Sequence, residues 1–231
     1  MNLCNSSLGF LFGMAKISEY RPLSRRFYAR PAEVVARDLL GLTLVRLLDD
    51  GTVLAGRIVE TEAYLGENDP ACHSARGKTE VTRLFWGPPG FAYVYLCWGM
   101  YHCLNVVVEP EGRAGCVLLR ALEPIAGIEH MRLRRPRAKE DSDLCSGPGR
   151  LCQAFNIDVQ LNGADMTGGN LFIAGTRKKL PVIAVSPRIG INKAADWPLR
   201  FHIKGNPHVS KAKPSPSRNG QELRRNLKGW F

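Results

Sequence analysis

The sequence lacks the spacing patterns of common metal sites. None of its seven cysteines forms a Cys-x-x-Cys pair, and no His-Glu-x-x-His motif occurs. Cys97, His102 and Cys103 are neighbours, but no second ligand pair at zinc spacing accompanies them. The odd number of cysteines, several of them inside apolar runs, indicates reduced thiols rather than a disulfide framework. We therefore predict an intracellular protein without a metal or a cofactor.

Long apolar runs are also missing. The longest early run, Leu8–Met14, is far shorter than the ~20 residues that a membrane-spanning helix needs, which argues against a membrane-spanning protein. Residues 1–13 carry no charge and so lack the basic start of a secretory signal. We predict that residues 1–14 are a disordered extension, with a translation start at Met14 as the alternative.

Positive charge is the feature that is abundant. The 231 residues include 32 Lys and Arg against 21 Asp and Glu, which gives a net charge of +11. This surplus indicates a polyanionic partner, either a nucleic acid or an anionic membrane surface, although charge that only maintains solubility is the alternative. Residues 211–231 are basic and rich in Pro and Ser, so we predict a flexible tail there.

Hydrophobic patterning predicts one domain of strands and helices over residues 15–210. Strands are expected at 42–48, 52–64, 91–98, 101–108 and 116–121, and helices at 31–40, 125–135 and 150–155. Residues 66–90 mix Gly, Pro, Asn and Lys, and such a long loop within a compact domain is usually functional or mobile. Short strands and turns follow residue 155, and no repeat or linker is evident, so we predict a single α+β domain.

Two carboxylates lie in the second predicted strand, within the segment VETEAY. Alternation along a strand places Glu60, Glu62 and Tyr64 on one face, with the two carboxylates about 6.6 Å apart. That separation suits an acid and a base on either side of a water in glycoside hydrolysis. The structural alternative is that Glu60 pairs with Arg57 or another basic residue.

An aromatic hairpin follows the long loop. Tyr93 and Tyr95 share a strand face, and Trp98 precedes Gly99 at the expected tip. A large aromatic side chain at a tip cannot easily fill the core. It either folds over a neighbouring apolar patch or inserts as a wedge between stacked bases.

Three other positions have both a functional and a structural interpretation. Asn105 lies among apolar residues and is either a hydrogen-bonded core amide or a reader of a base edge. Arg120 ends the apolar run CVLLR and could simply be a partner for a carboxylate. The segment Ser146–Arg150 opens a predicted helix, where Gly149 and Arg150 are candidate phosphate contacts, although a plain helix cap has the same pattern.

These motifs together resemble one enzyme family. The segments GRIVETEAYLG, Cys72-His73-Ser74, YVYLCWGMYHCLN, CVLLRALEP and LCSGPGRLCQA occur in this order. The chain resembles the alkyladenine DNA glycosylase family, also called the mammalian-type 3-methyladenine DNA glycosylases, over residues 20–210. Several long motifs in the right order make this resemblance specific.

The resemblance implies a fold and an activity. It implies a compact α+β domain with a curved, mostly antiparallel mixed sheet, flanking helices and a protruding β-hairpin. It also implies a monomeric, monofunctional glycosylase that flips alkylated or deaminated purines out of duplex DNA, excises them without strand cleavage, and resides with the DNA.

The family's functional residues match positions in this chain. Its catalytic Glu matches Glu62, and the Arg beside its catalytic water matches Arg120. Its base pocket and its intercalating hairpin match the following positions: Tyr64, His73, Tyr95 and Asn105 for the pocket, and Trp98 with Met100 for the hairpin. The mammalian pattern has Tyr at the wedge, so Trp98 is a departure that leaves the lesion range open.

Three other functions fit parts of the pattern. A non-catalytic DNA-binding protein could use the same Trp98 hairpin as a wedge. A hydrolase of free purine nucleosides would account for the two carboxylates and the aromatic pocket, but not for the charge or the wedge. An RNA-processing enzyme would account for the charge.

Overall fold

A computed structural model describes residues 17–175 and 181–212. The main feature of the fold is a single antiparallel sheet. Its eight strands run in the spatial order β3-β4-β5-β2-β1-β6, with β8 pairing both β2 and β7. They are β1 (Thr43–Leu47), β2 (Val53–Tyr64), β3 (Ala92–Cys97), β4 (Tyr101–Val107), β5 (Cys116–Ala126), β6 (Leu171–Ala174), β7 (Ile183–Ser186) and β8 (Arg200–Ile203). All of these pairings are antiparallel, which confirms the predicted α+β class.

Helices pack on this sheet and close the core. They are α1 (Arg25–Tyr28), α2 (Ala32–Leu39), α3 (Ile128–Arg134), α4 (Asp141–Leu144) and α5 (Pro148–Ala154). Helix α2 buries Val35, Ala36 and Leu39 against β2 and β5, because these positions recur at helical spacing. Helix α5 packs on β4 and β5. No helix within residues 17–175 and 181–212 is long and apolar enough to cross a membrane.

Strand β2 is the central element of the site. Its residues 58–63 are buried and Tyr64 is half-buried, with β5 paired along one edge and β8 along the other. Its pairing with β5 shifts register between Ala55 and Gly56 and on both sides of Glu60, and such bulges bend and twist a strand locally. Two carboxylates of this strand, Glu60 and Glu62, are buried in the interior.

The structure corrects two predicted elements. Strand β5 runs to Ala126 rather than ending at residue 121, so helix α3 begins at Ile128 and not at residue 125. Pro124 lies opposite Gly56 next to a register shift, where a missing backbone N–H is tolerated. The predicted loop 66–90 contains short 3-10 helices over Gly66–Asn68, His73–Arg76 and Arg83–Trp86.

Strands β3 and β4 form the predicted hairpin. Trp98 and Gly99 both have positive φ, 54° and 70°, and the N–H of Met100 donates to the carbonyl of Cys97 at 3.1 Å. Such a turn matches the twist of the flanking strands. It leaves Trp98 72% exposed and Met100 57% exposed, so the tip projects from the sheet. The extension at residues 1–14 and most of the tail at 211–231 lie outside the described residues.

Candidate active site

Two carboxylates of β2 meet one guanidinium of β5 in the interior. Arg120 Nε lies 3.2 Å from Glu60 Oε1, and Arg120 Nη1 lies 3.3 Å from Glu62 Oε2. Both carboxylates are therefore on the same side of the strand, as alternation predicts. Burial alone would lower the pKa of Arg120, but the two carboxylates outweigh it and raise that pKa, so the side chain stays a cation.

Glu60 accepts four hydrogen bonds, three of them at Oε1. Its carboxylate accepts from Arg120 and from Arg200 Nε at 2.6 Å, and from the N–H and hydroxyl of Ser210 at 2.8 and 2.9 Å. Burial alone would raise the pKa of Glu60, but Arg120 and Arg200 hold it below its ordinary value. The structural alternative is confirmed in its second form: Glu60 pairs with other basic residues, Arg120 and Arg200, and not with Arg57, which faces Glu123 at 3.6 Å.

Glu62 keeps acceptor capacity. Its Oε1 accepts from the N–H of Ile189 at 2.7 Å, and its Oε2 accepts from the Tyr64 hydroxyl at 3.0 Å. A carboxylate has about four acceptor positions. With Arg120 at ion-pair distance, at least one position of Glu62 remains for a water. Glu62 is thus suited to chemistry, whereas Glu60 is suited to structure.

An aromatic cluster stands beside Glu62. The rings of His73 and Tyr95 are 4.5 Å apart at 66°, and His73 Nδ1 shares a 2.9 Å hydrogen bond with the Tyr93 hydroxyl. This distance leaves no room for a base between His73 and Tyr95, so the two rings form one wall together. Tyr64, whose hydroxyl donates to Glu62, lies on β2 and not on the segments that carry His73 and Tyr95. Partial burial lowers the pKa of His73 and favours a neutral ring.

Asn105 lies directly opposite Tyr93 in the hairpin pairing. It is buried, its Nδ2 donates to the carbonyl of Tyr93 at 3.2 Å, and its Oδ1 lies 3.8 Å from the Cys116 sulfur. The amide is therefore held rigidly beside the aromatic cluster. This arrangement suits both interpretations from sequence, a core amide and a reader of a base edge.

The candidate phosphate contacts lie beside the hairpin. Helix α5 begins at Pro148 rather than at residue 150, and a Cβ added at Gly149 would stand 2.9 Å from the Tyr101 Cβ. Arg150 Nη1 donates to the Ser146 hydroxyl at 3.1 Å. The start of α5 therefore packs against the tip end of the hairpin, where Tyr101 pairs with Cys97.

Two clefts lie near these elements. One, of 460 Å³, lies between Met100–His102 and α5, and reaches Arg134. The other, of 480 Å³, adjoins the aromatic cluster at His73 and Tyr93 and is edged by Arg76 and Lys193. Within residues 17–175 and 181–212, no group of three His, Cys, Asp or Glu side chains is placed to hold a metal ion.

Several contributors to the site have no signal in the local sequence. Arg188, Ile189, Arg200 and Ser210 reach the β2 carboxylates, or the residues around them, from more than 120 positions away. Tyr93 is different. Its place on the same strand face as Tyr95 could have identified it as a pocket residue, and the two rings are 5.5 Å apart.

Comparison with known proteins identifies the family of the chain. Residues 26–207 match the model of the family described as "Methylpurine-DNA glycosylase (MPG)". A protein of Methanocella arvoryzae is 50% identical over 196 residues, which cover 83% of this chain and 97% of the relative. A protein of Carboxydothermus hydrogenoformans is 50% identical over 193 residues, covering 82% and 98%.

A third relative, from Legionella pneumophila, is 45% identical over 196 residues, covering 83% of this chain and 99% of its own. All three relatives carry the name "Putative 3-methyladenine DNA glycosylase". The motifs around Glu62, Tyr95 and Arg120 all lie inside the matched region. The chain therefore belongs to the methylpurine-DNA glycosylase family.

Proposed function

We propose that this DNA glycosylase flips damaged purines out of duplex DNA and hydrolyses their N-glycosidic bond with a water activated by Glu62, leaving an abasic site. The observation that carries the proposal is the environment of Glu62. It is a buried carboxylate with a free acceptor position, paired to Arg120 and bonded to the hydroxyl of the aromatic Tyr64.

Base flipping supplies the first step. A base within a duplex is out of reach of a buried carboxylate, and extruding it costs a few kcal/mol, least for a damaged, weakly paired base. Trp98 is exposed at the hairpin tip with Met100 beside it. Filling the vacated gap with an aromatic ring returns on the order of 1–3 kcal/mol through stacking. The wedge therefore offsets much of the cost of flipping.

The aromatic residues supply the pocket. The flipped purine stacks between Tyr64 on one side and the wall formed by His73 and Tyr95 on the other. Electron-rich ring faces attract a cationic base such as 3-methyladenine, and a neutral His73 adds no repulsion. Asn105, held at the wall by Tyr93, rejects undamaged guanine by crowding its exocyclic amine.

Hydrolysis supplies the last step. Departure of the base leaves positive charge on the sugar, which the carboxylate of Glu62 stabilises while it orients and deprotonates the water. An alkylated purine is already a good leaving group, whereas a deaminated purine such as hypoxanthine must be protonated. We propose that base release proceeds by hydrolysis alone, without a Schiff base and without strand cleavage.

The test is base release from a duplex that carries one alkylated purine or one hypoxanthine, with alkali used to cut at abasic sites. We expect cutting by the wild-type protein only after alkali. Glu62→Gln should retain binding to the lesion but lose base release to below a few per cent of the wild-type rate. Glu67→Gln, a change at an exposed carboxylate close in sequence, is the control and should be fully active.

The opposite results are equally informative. Substantial release by Glu62→Gln would remove Glu62 from the mechanism. Tight, salt-dependent binding by the wild-type protein without any base release would instead identify a non-catalytic DNA-binding protein that uses the Trp98 hairpin.

A further inference from the structure

Arg188 is a fully buried cation, and packing alone does not explain why the free-energy cost of burying its charge is tolerated. It is 1% exposed, and its guanidinium makes a two-pronged ion pair with Asp69 at 2.5 and 2.9 Å. Its Nη1 also donates to the carbonyl of Ala63 at 3.1 Å. A buried ion pair is often no more stabilising than well-packed apolar residues of the same volume. A role in the site would account for the presence of this pair.

The guanidinium of Arg188 covers one face of Tyr64. Its central carbon lies 4.6 Å from the centre of the Tyr64 ring, so a flipped base can stack only on the opposite face. The hydroxyl of the same ring donates to Glu62 Oε2. Arg188 therefore fixes the ring that serves both as a pocket wall and as a donor to the carboxylate.

The next residue along the chain contacts Glu62 directly. The N–H of Ile189 donates to Glu62 Oε1 at 2.7 Å. This N–H belongs to the peptide bond between Arg188 and Ile189. Any change that moves the Arg188 backbone therefore moves the donor as well. Both oxygens of Glu62 thus depend on Arg188, one through Tyr64 and the other through Ile189.

Asp69 extends this link to the loop that carries His73. Its carboxylate accepts from the N–H groups of Leu65 and Ala71 at 3.2 and 3.0 Å, and its carbonyl accepts from Cys72. His73 follows immediately. The ion pair of Arg188 and Asp69 therefore links three elements: the end of β2, the loop that carries His73, and the segment that supplies the Ile189 N–H.

We propose that Arg188, held by Asp69, is the positioning residue that sets the geometry of Glu62 and Tyr64 for base release. The role needs the planar fork of an arginine, because the guanidinium must engage two carboxylate oxygens and a carbonyl while it stacks on a ring. A lysine keeps the charge but cannot make all of these contacts. This inference rests on the proposed glycosylase function.

The experiment compares Arg188→Lys and Asp69→Asn with the wild-type protein. Base release is measured in single turnover on a duplex with one alkylated purine, and affinity is measured on a duplex with one tetrahydrofuran abasic analogue. We expect Arg188→Lys to slow release about 100-fold, as small misplacements of catalytic groups do, while affinity changes less than about threefold. Asp69→Asn should slow release in the same direction, and the double variant should be no slower than Arg188→Lys alone.

The comparison of rate with affinity separates positioning from a general loss of structure. A protein that has lost structure loses base release and affinity for the abasic analogue together, whereas misplaced catalytic groups slow release alone. The matched control is Arg46→Lys, which changes a buried arginine bonded to the carbonyls of Leu47 and Asn170 in another part of the sheet, and its release rate should stay close to that of the wild-type protein.

Each remaining outcome decides the question. Release by Arg188→Lys at the rate of Arg46→Lys overturns the inference, as does a slower release rate accompanied by an equal loss of affinity for the abasic analogue. If Arg188→Lys does not fold, Asp69→Asn carries the same comparison. Absence of base release by the wild-type protein is a different result, because it contradicts the proposed function and not the role of Arg188.

Discussion

At the scale of single residues, the site is a balanced set of buried charges. Glu60, Glu62 and Asp69 face Arg120, Arg200 and Arg188. A buried charge that loses its partner is strongly destabilising, whereas a complete set is tolerated. The two neighbouring glutamates differ in their partners, because Glu60 pairs with both Arg120 and Arg200, whereas Glu62 pairs with Arg120 alone among the arginines and is the proposed base for the water.

This difference predicts unequal losses of stability from two matched substitutions. Glu60→Gln leaves Arg200 without a charged partner and should cost about 3–5 kcal/mol of unfolding free energy. Glu62→Gln should cost clearly less, because Arg120 still faces Glu60. Chemical denaturation of both variants measures the difference, and equal losses would contradict a structural role specific to Glu60.

The same pair gives a pH dependence. The folded-state pKa of Glu60 lies below its ordinary value of 4.5. Its contribution to stability is therefore present above that value and is lost as the pH falls through the folded-state pKa. The destabilisation by Glu60→Gln should accordingly shrink in acid.

At the scale of elements, local patterns predicted the strands better than their ends. Alternation and the Trp98-Gly99 turn placed β2 and the hairpin within two residues of the observed bounds. The border between β5 and α3 was wrong, because Pro124 lies beside a register shift that only strand pairing reveals. Most of the partners of Glu60 and Glu62 could not be found from sequence, since they come from distant segments without a motif.

The hairpin tip combines strain with exposure. Trp98 has a φ of 54°, a region in which a bulky side chain costs on the order of 1–2 kcal/mol. Glycine removes this strain at a cost of about 0.4–1 kcal/mol from the unfolded state, whereas alanine retains the strain. Trp98→Gly should therefore melt above Trp98→Ala.

Both variants should bind lesion DNA more weakly than the wild-type protein, by about 1–3 kcal/mol, because each loses the stacking ring. Trp98→Tyr, which keeps an aromatic ring, is the control for binding. Undiminished affinity in Trp98→Ala would show that the exposed ring does not act as a wedge.

At the scale of the whole molecule, the net positive charge and the exposed hairpin both suit a nucleic acid as the partner. The net charge of +11 suits a polyanion. One cleft lies beside the exposed hairpin and the start of α5, and the other adjoins the aromatic cluster. Sequence alone predicted the charge and the hairpin. It did not predict the cleft edged by Arg76 and Lys193, because these residues are far apart along the chain and meet only after folding.

Electrostatic binding to DNA should be measurable as a salt dependence. If about five basic groups contact phosphates, the logarithm of affinity against the logarithm of salt concentration should fall with a slope of about −4.5, because each contact releases condensed counterions. Arg150 lies at the start of α5 beside the hairpin, so Arg150→Gln should reduce the slope by about 0.9. Fluorescence anisotropy with a labelled lesion duplex at several salt concentrations measures both values. A wild-type slope near zero would contradict an electrostatic interface, and an unchanged slope in Arg150→Gln would place the phosphates elsewhere on the surface.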